Sequence, residues 1–271
     1  MIDHAIATQR AHMPIGTSAV LDRRTLERDN KNLLPLLKNG ITVMDVGCGS
    51  GAITKGIAEK VGENGRVVGI DASPELISSA KEKYCPVLNL SFHLVDIMDF
   101  ETDLRFDLIT TARTLQWMNE PRKALVKMKS WLKRDGCIAV LDYNHEKIEW
   151  QPAPPPSMLH FYNSFLNWRQ DAGMNNQMAD QLETILSEVG LKNITVTDEA
   201  EFSSRDDIDF LETAGIWKKV AETRGHQLVK DGYMTEDGRL TAIDEYDQWL
   251  NNEARPTSMK MYLVAATGYN S

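Results

Sequence analysis

The chain has 271 residues, of which 42% are hydrophobic and 25% charged, with a formal net charge of -9. That length and apolar content suit one large domain or one domain with a substantial insertion, and the acidic balance argues against broad contact with nucleic acid or anionic membranes. Cys48, Cys85 and Cys137 show no metal-ligand spacing, Met1 to His4 lack the features of a signal peptide, and no run is long enough to span a bilayer, so a cytoplasmic enzyme without a metal is expected.

Residues 18–38 read as a helix, with Leu26, Leu33 and Leu37 on one face, Arg28 near the middle and Gly40 past the end. The segment Ile41 to Thr54, I-T-V-M-D-V-G-C-G-S-G-A-I-T, then packs an apolar strand, an acid and three glycines together. Ile41, Val43, Met44 and Val46 suit a strand buried on both faces. Gly47, Gly49 and Gly51 allow the backbone positive φ and a close approach to a ligand. Ile53, Ile57 and Val61 follow at helical spacing, with Gly62 as the stop. The spacing is G-x-G-x-G rather than the dinucleotide G-x-G-x-x-G, and Asp45 stands where a pyrophosphate would be repelled and an ammonium welcomed.

Val67 to Asp71 is a second buried strand ending in an acid, and its carboxylate can accept from both hydroxyls of a ribose. Ser73 and Pro74 supply the N-cap and first residue of the next helix. Phe92 to Ile97 gives a third strand with Asp96 near its end, Phe106 to Thr111 a fourth, and Gly136 to Leu141 a fifth. Between the last two, Pro121 to Leu132 reads as a core helix burying Ala124, Leu125, Met128, Trp131 and Leu132. Strand and helix alternate to about residue 145, as in a doubly wound parallel sheet.

Pro152, Pro154, Pro155 and Pro156 mark a stiff connector, followed by an aromatic-rich helix from Met158 to Trp168 that Gly173 ends. Residues 178–189 form an amphipathic helix, Ile194 to Val196 a sixth strand, and residues 205–253 two helices suited to a lid. A final strand alternates Met259, Met261, Leu263 and Ala265 with Lys260, Tyr262 and Val264.

The run Asp45-Val46-Gly47-Cys48-Gly49-Ser50-Gly51 resembles the first motif, h-D-h-G-C-G-x-G, of the class I S-adenosylmethionine-dependent methyltransferases. The likeness is to small-molecule types such as the ubiquinone/menaquinone and trans-aconitate methyltransferases. It is close over residues 41–145 and holds in outline over 178–268. It implies an α/β, Rossmann-like, doubly wound sheet of seven strands with the last antiparallel, plus helical cap insertions. The implied organisation is a helical segment at 1–40, a cofactor-binding core at 41–145, a proline-rich connector and cap helix at 146–177, core again at 178–204, a helical cap at 205–254 and a final strand at 255–271.

The cofactor implied is S-adenosyl-L-methionine. Asp45, Gly47, Gly49 and Gly51 would shape its methionine end, with Thr111 offering backbone contacts and Arg28 meeting the carboxylate. Asp71, followed by Ala72, would hold the ribose, and Asp96 with Ile97 the adenine. The acceptor is expected to be a small molecule: the N-P-P-Y and D-P-P-Y signatures of amino-methyltransferases are absent after strand four, and Leu115-Gln116-Trp117 is similar to a segment of methyltransferases acting on carboxylic acids and acyl carriers. Asp142, Tyr143, Asn144 and His145 fall just beyond strand five, at the edge where ligands bind. His145 is the candidate general base and Tyr143 a second candidate, while Trp117 and Tyr143 are expected to line the substrate pocket. Two other readings remain open: a nicotinamide-dependent oxidoreductase, and a protein that binds S-adenosylmethionine without turnover.

Overall fold

A computed structural model describes residues 4–12, 18–252 and 258–270. The apolar strand of the glycine motif, β1 (Thr42–Val46), lies at the centre of a single sheet, between β2 (Arg66–Asp71) and β4 (Phe106–Ala112). β3 (Leu90–Leu94) lies outside β2, and β5 (Leu132–Gln151) beside β4, all five running parallel. The chain winds outward from β1 to β3 and then returns to the other side of β1. That reversal opens a crevice at the carboxyl ends of β1 and β4, where ligands enter such sheets.

β8 (Ser258–Tyr269) adds antiparallel to β5, and β6 (Lys192–Asp198) closes the row antiparallel to β8. The sheet has eight strands rather than the expected seven, because a short β7 (Glu201–Ser204) pairs with the first half of β8. Its sequence, E-F-S-S, has one large apolar residue, Phe202, and that side chain is exposed, so periodicity gave no sign of it.

β5 is also far longer than expected. It continues past Leu141 to Gln151 because β8 runs alongside it, through an irregularity between Asn144 and Glu149. Asp142, Tyr143, Asn144 and His145 therefore sit in mid-strand and not on a loop beyond it.

The helices follow the predicted pattern in the core and depart from it outside. α1 (His4–Ala11) is followed by α2 (Ser18–Asp22), α3 (Leu26–Asp29) and a 3-10 turn over Lys31–Leu36, in place of one helix over 18–38. The break has a local cause: Thr25 caps α3 by accepting from Arg28 N at 3.2 Å, and Pro35 prevents a regular continuation. α4 (Ala52–Val61) ends at Gly62, α5 (Pro74–Tyr84) starts from the Ser73 cap, and α6 (Pro121–Ser130) covers β4 and β5.

α7 (Pro156–Asp171) and α8 (Met178–Glu188) precede β6. Among the described residues, 205–252 contain four helices rather than the two expected over 205–253: α9 (Phe210–Ala214), α10 (Ile216–Thr223), α11 (Gly225–Lys230) and α12 (Glu236–Asn251). Gly215 divides α9 from α10, and Arg224 divides α10 from α11.

Three main cores result among the described residues. One face of the sheet buries Met44, Val68, Ile109 and Ile138 against α6 and α8, and the other buries Val43, Val67 and Leu108 against Leu26 of α3 and Ile57 of α4. The third, an aromatic core, joins α7 to α9–α12 through Phe161, Phe165, Trp217 and Tyr246. Each such side chain contributes roughly 1.5–3 kcal/mol on burial. Among the described residues, no helix is long and apolar enough to cross a membrane and no metal-ligating cluster of three or more occurs.

Candidate functional site

The loop after β1 owes its shape to the glycines, with φ of 73° at Gly47, 54° at Gly49 and 78° at Gly51. At Gly47 a Cβ would lie 2.3 Å from Thr114 Oγ1, so the loop can approach the end of β4 only without a side chain there. Gly47 N donates to Ile70 O at 2.8 Å, which ties the loop to β2. Gly49 N donates to Asp71 Oδ2 at 2.9 Å and Ser73 N to Asp71 Oδ1 at 2.8 Å. Burial raises the Asp71 carboxyl above its ordinary range, against the pull of these N–H groups.

These elements frame a cleft with about 1190 Å³ of empty space, counting its open mouth. Of the expected site residues, Gly47, Gly49, Asp71, Ala72, Asp96, Ile97 and Trp117 line it. Asp96 uses Oδ1 to accept from Met98 N at 2.8 Å. It lies two residues past β3, which ends earlier than expected. α1 covers one side through Ala7 and Ala11, with His12 beside it.

Asp45 faces a smaller adjoining cavity of about 400 Å³, together with Gly47, Gly49 and Arg24. It is buried and accepts from Thr54 Oγ1 at 2.7 Å, and desolvation pushes its carboxyl up to about 6. Gly51 is away from both cavities, where a Cβ would strike the Phe92 ring at 2.6 Å; it lets α4 pack closely. Thr111 is buried within β4, and Ala112, Arg113 and Thr114 reach the cleft instead.

Arg28 is exposed, with Nη2 donating to Arg23 O at 3.0 Å and Nε to Asp29 Oδ2 at 3.1 Å. It is on neither cavity. The arginine that faces both is Arg24, one residue before the Thr25 cap. Among the described residues its guanidinium makes no hydrogen bond or ion pair, although the charges of Arg113 and Glu201 reach it. A threonine that could start a helix inside the 18–38 pattern was the signal available for this break.

Tyr143 and His145 do not line the cleft. Tyr143 Oη accepts from Arg113 Nε at 2.9 Å and donates to Glu201 Oε2 at 3.1 Å. Burial and the neighbouring Glu201 push its phenol up to about 12 in spite of Arg113. His145 is buried among Tyr143, Phe165 and Trp217, with Nε2 against Gln116 Oε1. Burial and then Arg169 push its imidazole well below the ordinary range. It is a neutral core residue because β5 carries it beneath α7 rather than to the rim.

Residues 37–201 match the family described as a methyltransferase domain. The chain belongs to that family. It is 31% identical to a malonyl-[acyl-carrier protein] O-methyltransferase of Acetivibrio thermocellus, over 40% of this chain and 38% of that protein. It is 28% identical to a juvenile hormone acid O-methyltransferase of Bombyx mori, over 77% of this chain and 75% of the other. The chain spans about half the length or less of several curated relatives it matches. A solved structure of a Haemonchus contortus phosphoethanolamine N-methyltransferase in complex with S-adenosyl-L-methionine superposes with a TM-score of 0.55 and 17% identity, covering 89% of this chain and 52% of that one. At that identity the likeness is one of fold, and the fold is the Rossmann-like methyltransferase sheet with its antiparallel strand. The G-x-G-x-G loop lies within the matched methyltransferase domain.

Proposed function

We propose that this methyltransferase domain binds S-adenosylmethionine in the cleft and transfers its methyl group to a small molecule by in-line displacement. The observation that carries the reading is Asp71. Each of its oxygens accepts one backbone N–H, which leaves a lone pair on each for a vicinal diol at the cleft wall.

The rest of the lining fits the same cofactor. Asp96 keeps one carboxylate oxygen for an exocyclic amine, and Ile97, Val95 and Leu76 give apolar contact for a purine ring. Arg24 offers its guanidinium to an amino-acid carboxylate, and Asp45 its negative charge to the ammonium. When bound, S-adenosylmethionine supplies a methyl group on a positively charged sulfur.

With Tyr143 and His145 outside the cleft, the protein's contribution is to hold the acceptor in line and exclude water. α1 covers one side of the cleft through Ala7 and Ala11, and the cap of α7 and α9–α12 backs its wall where Arg169 and Arg224 stack on Trp117. Relatives that methylate a malonyl carrier and a hormone acid support a small-molecule acceptor, and the net charge of -9 favours one over nucleic acid. Three free cysteines support a reducing, cytoplasmic location.

Calorimetric titration with S-adenosylhomocysteine beside NADH tests the cofactor, and release of S-adenosylhomocysteine in an acceptor screen tests transfer. Saturable binding of S-adenosylhomocysteine alone is expected. Preference for NADH, or binding of neither, overturns the reading.

A further inference from the structure

Trp117 lines the cleft from the turn after β4, and two arginines of the cap stack on its ring. The Arg169 guanidinium carbon, from α7, lies 4.2 Å from the ring centroid and that of Arg224, from the α10–α11 junction, 4.3 Å. Neither reaches bulk water: Arg169 is 0% and Arg224 4% exposed. Arg224 also donates to Arg10 O at 2.6 Å and His12 O at 3.3 Å, the carbonyls on either side of the cleft-lining Ala11. It therefore stands directly behind the cleft wall.

The charge of Arg169 is poorly balanced within the protein. Nε donates to Asn176 Oδ1 at 2.8 Å and Nη2 to Gln116 O and Oε1 at 3.0 Å, all neutral acceptors. Nη1 is buried without a partner, and among the described residues Arg169 forms no ion pair. Asp142 acts on it from a distance, but that carboxylate is committed to Gln116 N and Tyr143 N, and burial pushes it up to about 7. A buried cation with so little compensation makes the adjoining space favourable for a negative charge and hostile to a second positive one.

We propose that the acceptor site selects an organic carboxylate over an amine, with Arg169 and Arg224 as the specificity-determining residues acting across Trp117. This rests on the methyl-transfer reading above. The chemistry balances without a further group: a carboxylate oxygen forms the new bond to the methyl carbon, the sulfur–methyl bond breaks with its electron pair going to sulfur, and a neutral thioether and a methyl ester result. No proton has to leave the acceptor, so the absence of Tyr143 and His145 from the cleft is no obstacle. A protonated amine would have to lose a proton before its nitrogen could attack, and the positive field of the two arginines disfavours the approach of its protonated form.

The test uses a matched pair, phenylacetate and phenethylammonium, titrated into the full chain saturated with S-adenosylhomocysteine. The carboxylate is expected to bind more tightly by roughly tenfold or more, because a buried guanidinium behind Trp117 attracts the anion and repels the ammonium. The overall negative charge of the protein works against that preference, so it reports the local site. Arg169→Gln and Arg224→Gln should each shrink the ratio of the two affinities, and Arg224→Lys should retain it. A ratio is insensitive to the fraction of protein folded, and the affinity for S-adenosylhomocysteine checks the fold in every variant. Equal or tighter binding of the amine, no binding of either probe to the loaded protein, or an unchanged ratio in both glutamine variants overturns the proposal. Failure of S-adenosylhomocysteine itself to bind is a separate result, and it overturns the cofactor reading on which this one rests.

Discussion

Arg113 Nη2 donates to Glu201 Oε1 across 2.6 Å, joining the carboxyl end of β4 to β7, the strand that the sequence pattern did not announce. The same guanidinium donates from Nη1 to Asp29 O and from Nε to Tyr143 Oη, both at 2.9 Å, so it clamps the end of α3 and β5 as well. Arg113 holds a φ of 58°, a conformation that costs a non-glycine residue of order 1–3 kcal/mol and persists because three elements fix it. Burial opposes its charge, but Tyr143 and Glu201 outweigh that and hold it above the ordinary range. Arg113→Met should destabilise the fold by about 2–4 kcal/mol in urea unfolding, since it removes the donor from Asp29 O, Tyr143 Oη and Glu201 Oε1 together. Glu201→Gln should cost about 1 kcal/mol or less, because that side chain still reaches water. Equal losses in the two variants would refute the clamp.

Asp71 has two duties that pull a mutation in one direction. Sequence alone assigns its partners to a ligand, yet the structure also gives it the N–H groups of Gly49 and Ser73. Asp71→Ala should therefore lower affinity for S-adenosylhomocysteine by roughly 10- to 100-fold and also lower stability by about 1–3 kcal/mol. Calorimetry and urea unfolding on one preparation check both. Unchanged affinity beside lost stability would confine Asp71 to shaping the loop.

The cleft residues legible in the sequence are those whose positions depend on local chemistry. A strand ending in glycines or an acid places Gly47, Asp71 and Asp96 at one sheet edge whatever the rest of the chain does. Residues fixed by distant partners were not legible. His145 lies in the core because β5 pairs with β8, more than a hundred residues later, and no pattern near His145 records that pairing. Arg24 and Arg28 are both plausible on a continuous helix. The Thr25 cap separates them, turning one to the cleft and the other to solvent.

That separation makes a direct comparison available. Arg24→Ala should reduce affinity for S-adenosylhomocysteine about 10-fold or more while leaving 5'-methylthioadenosine, which lacks the amino-acid portion, nearly unaffected. Arg28→Ala should change neither, since its side chain is exposed and bonded to its own segment. Parallel loss for both ligands in the Arg24 variant would show a general disturbance of the cleft and remove its assignment to the carboxylate.

Asp45 makes the unliganded protein sensitive to pH. Desolvation is the main cause of its rise from 3.8 to about 6, Asp71 adds to it, and the Thr54 hydroxyl opposes it. A carboxyl with a higher pKa in the folded state binds its proton more tightly there. Its stabilising effect is complete below about pH 4 and is lost as pH rises to about 6, above which the penalty is constant. The full shift corresponds to about 3 kcal/mol. Asp45→Asn keeps an oxygen for Thr54 Oγ1 and has no charge to bury, so its stability relative to the parent should increase between pH 4 and 7 by up to that amount. The same substitution removes the negative charge set aside for the cofactor's ammonium, and affinity for S-adenosylhomocysteine should fall while stability rises. Urea unfolding of both proteins across this pH range, with calorimetry at pH 7, measures the two effects; pH–stability curves that run parallel would mean that Asp45 is not titrating in that window.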